Sequence, residues 1–136
     1  MTNTTPQLAN GNLAHADLTR QIIGAAIAVH KKLGPGFIES VYQNSLCIEL
    51  DKWGLSFTKE QDVPVFYDDI EVGLHRLDLL VEDKIVVELK ACRTIETRHI
   101  AVVRSYLRAT DLNHGLVLNF STAPLQIKRV IENTPI

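Results

Sequence analysis

The chain has 136 residues, 46% of them hydrophobic and 22% charged, with a net charge of −2. This suits one domain around one core. No apolar run approaches the roughly 18 residues of a membrane span, and the N-terminus lacks the basic-then-apolar design of a signal peptide, so a cytoplasmic location is expected. Cys47 and Cys92 have no CxxC or His-rich spacing near them, which indicates neither a disulfide framework nor a zinc site.

Residues 1–14 are polar and rich in Thr, Asn and Gly, and read as a disordered tail. Residues 15–136 form the domain. Asp17 is placed to cap a helix running to Leu33, with Leu18, Ile22, Ala25, Ala26, Val29 and Leu33 on one stripe. Gly34-Pro35-Gly36 stops it. A second helix is expected from about Ile38 to Trp53, with Tyr42, Leu46, Leu50 and Trp53 as its apolar stripe. Strands follow at Phe57-Thr58, Val63 to Tyr67, Ile70 to Val81 and Ile85 to Lys90, with turns at Asp68-Asp69 and Glu82-Asp83-Lys84. A third helix is expected from about Thr94 to Ala109, then a buried strand over 115–120. Residues 124–131 are ambiguous between strand and helix. The order predicts an α/β fold in which helices flank a mixed sheet.

The hairpin from Leu77 to Ala91 carries charge inside two β-rich runs: Asp78 in the first, Glu88 and Lys90 in the second. Strand parity puts Glu88 and Lys90 on one face. A two-residue turn at Glu82-Asp83 pairs Asp78 with Val87. A three-residue turn, Glu82-Asp83-Lys84, or a bulge near it pairs Asp78 with Glu88 instead. Two carboxylates and an ammonium on one face can hold a hard divalent cation and a water beside it. From spacing alone, a solvated face of a half-buried hairpin accounts for the same charges.

Asp78 followed by Glu88-Leu89-Lys90 resembles the active-site signature of the PD-(D/E)XK nuclease superfamily, with Leu77-Asp78 in place of the "PD". The run Gly36-Phe37-Ile38-Glu39-Ser40-Val41-Tyr42 resembles the pattern of the small bacterial GxxExxY family within it. Leu33-Gly34-Pro35-Gly36, the block Arg76 to Val81 and Asn119-Phe120 are similar too. The resemblance runs from about Asp17 to Val130 and implies a restriction-endonuclease-like core.

It also implies roles. Asp78 and Glu88 would ligate Mg²⁺ or Mn²⁺, with the carbonyl of Leu89 as a further ligand. Lys90 would orient the attacking water and offset phosphate charge. Glu39 would reach the metal directly or through water; its plain alternative is a favourable charge at a helix N-terminus. Tyr42 is a candidate to bond Glu39, to contact phosphate or to pack in the core. Arg76 is a candidate for phosphate binding or for pairing with a carboxylate. Arg104 and Arg108 form a small basic stripe, a substrate contact or a solvated helix face. His99 reads as a surface or capping residue. The implied activity is metal-dependent hydrolysis of nucleic-acid phosphodiesters.

One departure stands out. Family members often carry Gln four residues before the Tyr of the third helix; here the Tyr is Tyr106 and that position is Val102. Charge is also uneven: residues 37–92 hold twelve acids and five bases, a net of −7, whereas 93–136 hold six bases and three acids, a net of +3. Acids that gather metal and bases that meet phosphate would explain the split, but the acidic total argues against broad non-specific DNA binding. A non-catalytic nucleic-acid- or protein-binding module on the same fold is therefore the second reading. So small a domain offers a duplex little surface, which makes a homodimer a candidate assembly.

Overall fold

The computed structural model describes residues 11–132, with side chains from His15 onward. Among these, the order is α1 (Gly11–Leu33), α2 (Glu39–Lys52), β1 (Phe57–Tyr67), β2 (Ile70–Val81), β3 (Ile85–Lys90), α3 (Thr97–Thr110), β4 (His114–Asn119) and β5 (Gln126–Ile131). No described helix is long and apolar enough to cross a membrane.

Residues 1–10 of the expected tail lie outside the described residues. From Gly11 the chain is already helical. Asp17 therefore stands inside α1 and is not its cap. Its carboxylate instead accepts hydrogen bonds from Arg20 (3.0 Å) and Gln21 (3.3 Å), the i+3 and i+4 positions that meet on a helix surface. Gly34 ends the helix at φ +67, donating its N–H to the carbonyl of His30.

The strands form one sheet in the order β1-β2-β3-β4-β5. β1, β2 and β3 make an antiparallel meander; β4 runs parallel to β3, and β5 antiparallel to β4. The parallel step needs a long crossover, which α3 supplies. The ambiguous segment near the C-terminus thus becomes an edge strand. The two short segments expected at 57–58 and 63–67 are one continuous strand, with Pro64 tolerated because β1 lies at the other edge.

Helices cover both faces. α1 and α2 bury Ile22, Ala25, Val29, Tyr42, Leu46 and Leu50 against Leu79, Val81, Val87, Leu89, Leu116 and Leu118. α3 buries Val103, Tyr106 and Leu107 against Leu77, Leu80, Val86, Val117 and Val130. Removing each large side chain from water contributes about 1.5–3 kcal/mol. Trp53 departs from its expected place in the core, being 44% exposed. Its ring lies against Gly24, where an added Cβ would stand 2.5 Å from Cη2, and its Nε1–H donates to Glu49 (3.3 Å). An indole with one polar edge suits the border of a core better than its centre.

Candidate active site

β2 and β3 meet through Val81↔Ile85, so the turn between them holds three residues, Glu82 to Lys84. That register sets Asp78 opposite Glu88. Paired positions run only as far as Leu79↔Val87. Beyond that the two carboxylates bridge the strands. The Asp78 N–H donates to Glu88 Oε1 (2.9 Å), and the Leu89 N–H donates to Asp78 Oδ2 (2.9 Å). In an extended strand a residue's N–H and C=O point to the same side, so the Leu89 carbonyl opens into this gap as well.

A local irregularity creates the gap. Leu77 and Leu80, three residues apart, both pack toward α3, so the alternation of β2 breaks around Asp78. Opposite it on β1, Glu60 has φ +55 and falls between the pairs Lys59↔Leu79 and Gln61↔Leu77. The buried Gln43 of α2 donates to the Glu60 carboxylate (3.3 Å).

The electrostatics are those of a crowded anionic site. Glu88 is 6% exposed. Burial, then the neighbouring Asp78 carboxylate, push its pKa up to about 8. Burial likewise raises Asp78, against the Leu89 N–H that lowers it, and Glu39 adds to the rise. Lys90 forms no ion pair among the described residues, yet its charge favours the ionised form of both acids. Its main chain is fixed: the Phe120 N–H donates to the Lys90 carbonyl (2.9 Å).

Beyond Lys90, the fully buried Asn119 clamps the chain. Its Oδ1 accepts from the Cys92 N–H (3.1 Å), and its Nδ2 donates to the Cys92 carbonyl (2.9 Å) and to Gln126 (3.1 Å). Gln126 in turn accepts from the Ile95 N–H (3.0 Å). α3 starts two residues later with a reciprocal cap: the Glu96 side chain accepts from the N–H of His99, and the Glu96 N–H donates to His99 Nδ1. The capping role expected of His99 is therefore present. Sequence reasoning missed Asn119, Gln126, Gln43 and Glu60 as supports. Asn119 had a signal, a polar residue closing an apolar strand; the bonds from Gln43 to Glu60 and from Ile95 to Gln126 cross 17 and 31 residues with no local trace.

The remaining candidates divide. Glu39, exposed in the first turn of α2, is close enough for its charge to raise both acids. Tyr42 is fully buried, stacked on Phe120 at 4.6 Å, and its hydroxyl donates to the Gly34 carbonyl and accepts the Phe37 N–H (3.2 Å). Of the readings open to Tyr42, core packing is the one present, and its hydroxyl clamps the loop from Gly34 to Phe37 that leads into α2 and Glu39. Arg76 pairs with Asp62 across β1 and β2 (3.0 Å). Arg104 and Arg108 lean on Glu132 (3.9 and 3.1 Å). Glu132 bonds Asn113, at the end of the sheet opposite Lys90 and Asn119.

The family model for the PD-(D/E)XK nuclease superfamily matches residues 16–130. The chain belongs to that superfamily. A comparison with curated proteins found no match. PD-(D/E)XK nucleases generally use divalent metals and act on nucleic acid, and the five-stranded mixed sheet with its three helices is consistent with their fold.

The residues present fit such a metal. Two carboxylates, each with one oxygen engaged by a backbone N–H, leave Asp78 Oδ1 and Glu88 Oε2 without a hydrogen bond among the described residues. Their raised pKa values mean that the pair favours a proton or a cation between them. No group of three or more His, Cys, Asp or Glu among the described residues could hold a metal by itself.

Proposed function

We propose that this chain is a Mg²⁺- or Mn²⁺-dependent nuclease of the GxxExxY type that hydrolyses phosphodiester bonds in DNA or RNA. The observation that carries the reading is the reciprocal bridge between Asp78 and Glu88, with the unpaired ammonium of Lys90 on the same strand face. Asp78, Glu88 and the Leu89 carbonyl would hold the ion. When bound, it would supply a polarised water and offset charge on the phosphate. Lys90 would orient the attacking water and stabilise the developing phosphate charge, a task open to it because no carboxylate engages it. Glu39 would add a water-mediated contact from α2. A homodimer stays within this proposal, since so small a domain gives a duplex little surface.

Val102 favours a second reading, a non-catalytic binding module on the same fold. It sits one helical turn before Tyr106, is 41% exposed, and lacks the amide that the resembling family carries there. Metal-dependent cleavage of single- and double-stranded DNA and RNA separates the two. Cleavage that requires Mg²⁺ or Mn²⁺ and vanishes in Lys90→Ala supports the enzyme. Metal protection against thermal unfolding without cleavage of any nucleic acid supports the module, and Val102→Gln then tests whether the amide restores turnover.

A further inference from the structure

Beside the two carboxylates lies a cleft of about 460 Å³ lined by Phe37, Ile38, Glu39, Ser40 and Ala91. Ala91 directly follows Lys90, and Glu39 acts electrostatically on Asp78 and Glu88. The cleft therefore borders the proposed site of hydrolysis through Glu39, which lines the one and acts on the other. Its rim is apolar and open: Phe37 is 45% exposed and Ile38 70%. The rim is also firmly built. The Phe37 N–H is held by the Tyr42 hydroxyl, its ring meets the Tyr42 ring edge-to-face at 6.0 Å and 80°, and Tyr42 is itself buried on Phe120. Gly34 (φ +67) and Gly36 (φ +117) supply the backbone turns that lift Phe37 out of the core.

Charge identifies the occupant. The lining holds one acid and no base, so it has nothing to attract a phosphate, whereas Lys90 is the residue before Ala91 in the chain. An aromatic ring with an aliphatic neighbour suits the uncharged, flat part of a nucleotide. We propose that Phe37 and Ile38 form a nucleobase subsite that stacks on a base flanking the scissile phosphate. This rests on the nuclease reading and narrows it. A base inside a duplex is covered on both faces by its neighbours, so the subsite selects single-stranded or locally unpaired nucleic acid.

The test combines cleavage by otherwise wild-type protein with binding of short oligonucleotides carrying 2-aminopurine, whose fluorescence is quenched on stacking. Binding is measured in a Lys90→Ala background with Mn²⁺ present. The expected results are cleavage of single strands in preference to duplexes and quenching confined to one position near the cut. Phe37→Leu, which keeps apolar packing but has no π face, should lose the quenching and weaken single-strand binding about tenfold. Phe37→Trp should retain both. Unchanged quenching, affinity and strand preference in Phe37→Leu would overturn the subsite while leaving the nuclease reading intact. Wild-type protein that cleaves duplexes as readily as single strands would overturn it also. Protein that neither binds nor cleaves any oligonucleotide would remove the nuclease reading and the subsite together.

Discussion

Asp78 and Glu88 each use one carboxylate oxygen to take the place of a missing rung between β2 and β3, accepting the N–H of Leu89 and of Asp78 respectively, both at 2.9 Å. The side chains proposed to hold a cation thus also close the end of the hairpin.

This double duty separates amide from alanine substitutions. Asp78→Asn and Glu88→Gln keep an acceptor for the backbone N–H and remove the charge, so each should abolish Mn²⁺ binding with little loss of fold. The alanine variants should lose both binding and stability, since an unpaired buried N–H costs about 1–3 kcal/mol. Lys90→Ala should bind Mn²⁺ and lose cleavage by on the order of 10²-fold or more. Calorimetric Mn²⁺ titration beside a nuclease assay checks the split; Mn²⁺ binding indifferent to Asp78→Asn would refute that ligand.

Stability should depend on pH in a direction set by Glu88. Its pKa stands at about 8 in the folded protein against an ordinary 4.5. Between those values the folded state keeps a proton that the unfolded chain has released. This contribution is therefore full below 4.5, declines as pH rises and is gone above about 8. Melting curves in EDTA should fall across this window, and Glu88→Gln should fall less. Saturating Mn²⁺ should oppose the decline by binding the ionised pair. A wild-type curve parallel to that of Glu88→Gln would contradict the assignment.

Asn119→Ala should harm the site from outside it. The change leaves the N–H groups of Cys92 and Ser121 without their shared acceptor and frees the turn after Lys90. The expected outcome is a loss of stability, about 1–3 kcal/mol for each N–H left dry, seen as a lower melting temperature, with cleavage reduced while Mn²⁺ binding persists. A cleavage rate equal to wild type would show that Lys90 needs no such brace.

Gly24→Ala should be destabilising although alanine is the better helix former. Its Cβ would stand 2.5 Å from the Trp53 ring, so α1 and α2 must part or the indole must turn. Overpacking of this kind costs about 1–3 kcal/mol. In a double-mutant cycle with Trp53→Leu the two effects should be clearly less than additive. Additivity in urea titrations would mean that the ring moves aside freely.

The hairpin that carries Asp78 and Glu88 was legible because parity and turn length are local rules. A three-residue turn was one of two ways to face Asp78 toward Glu88, and Val81↔Ile85 is that turn. Helix stripes likewise gave Ile22, Val29, Leu46 and Val103, all buried. What escaped was set by contacts distant in sequence. Trp53 lies on a helical stripe, but only the nearness of Gly24 decides that its ring borders the core. Glu60 falls in the gap between the strands expected at 57–58 and 63–67; in the structure it lies within β1, with a left-handed backbone, opposite the break at Asp78 on the neighbouring strand. Tyr42 is three residues from Glu39, which suggested a shared task; its hydroxyl instead turns back to Gly34 and Phe37.

The bridge at the end of the hairpin bears on how relatives that have lost activity should drift. A side chain at position 78 or 88 must still accept a backbone N–H, which confines silent change there to Asp, Asn, Glu and Gln. Lys90 supports no strand pairing through its side chain and is free to vary once hydrolysis is no longer selected. Retirement should therefore show first at the lysine, and an intact acidic pair is weaker testimony to a working enzyme than the ammonium two residues beyond it.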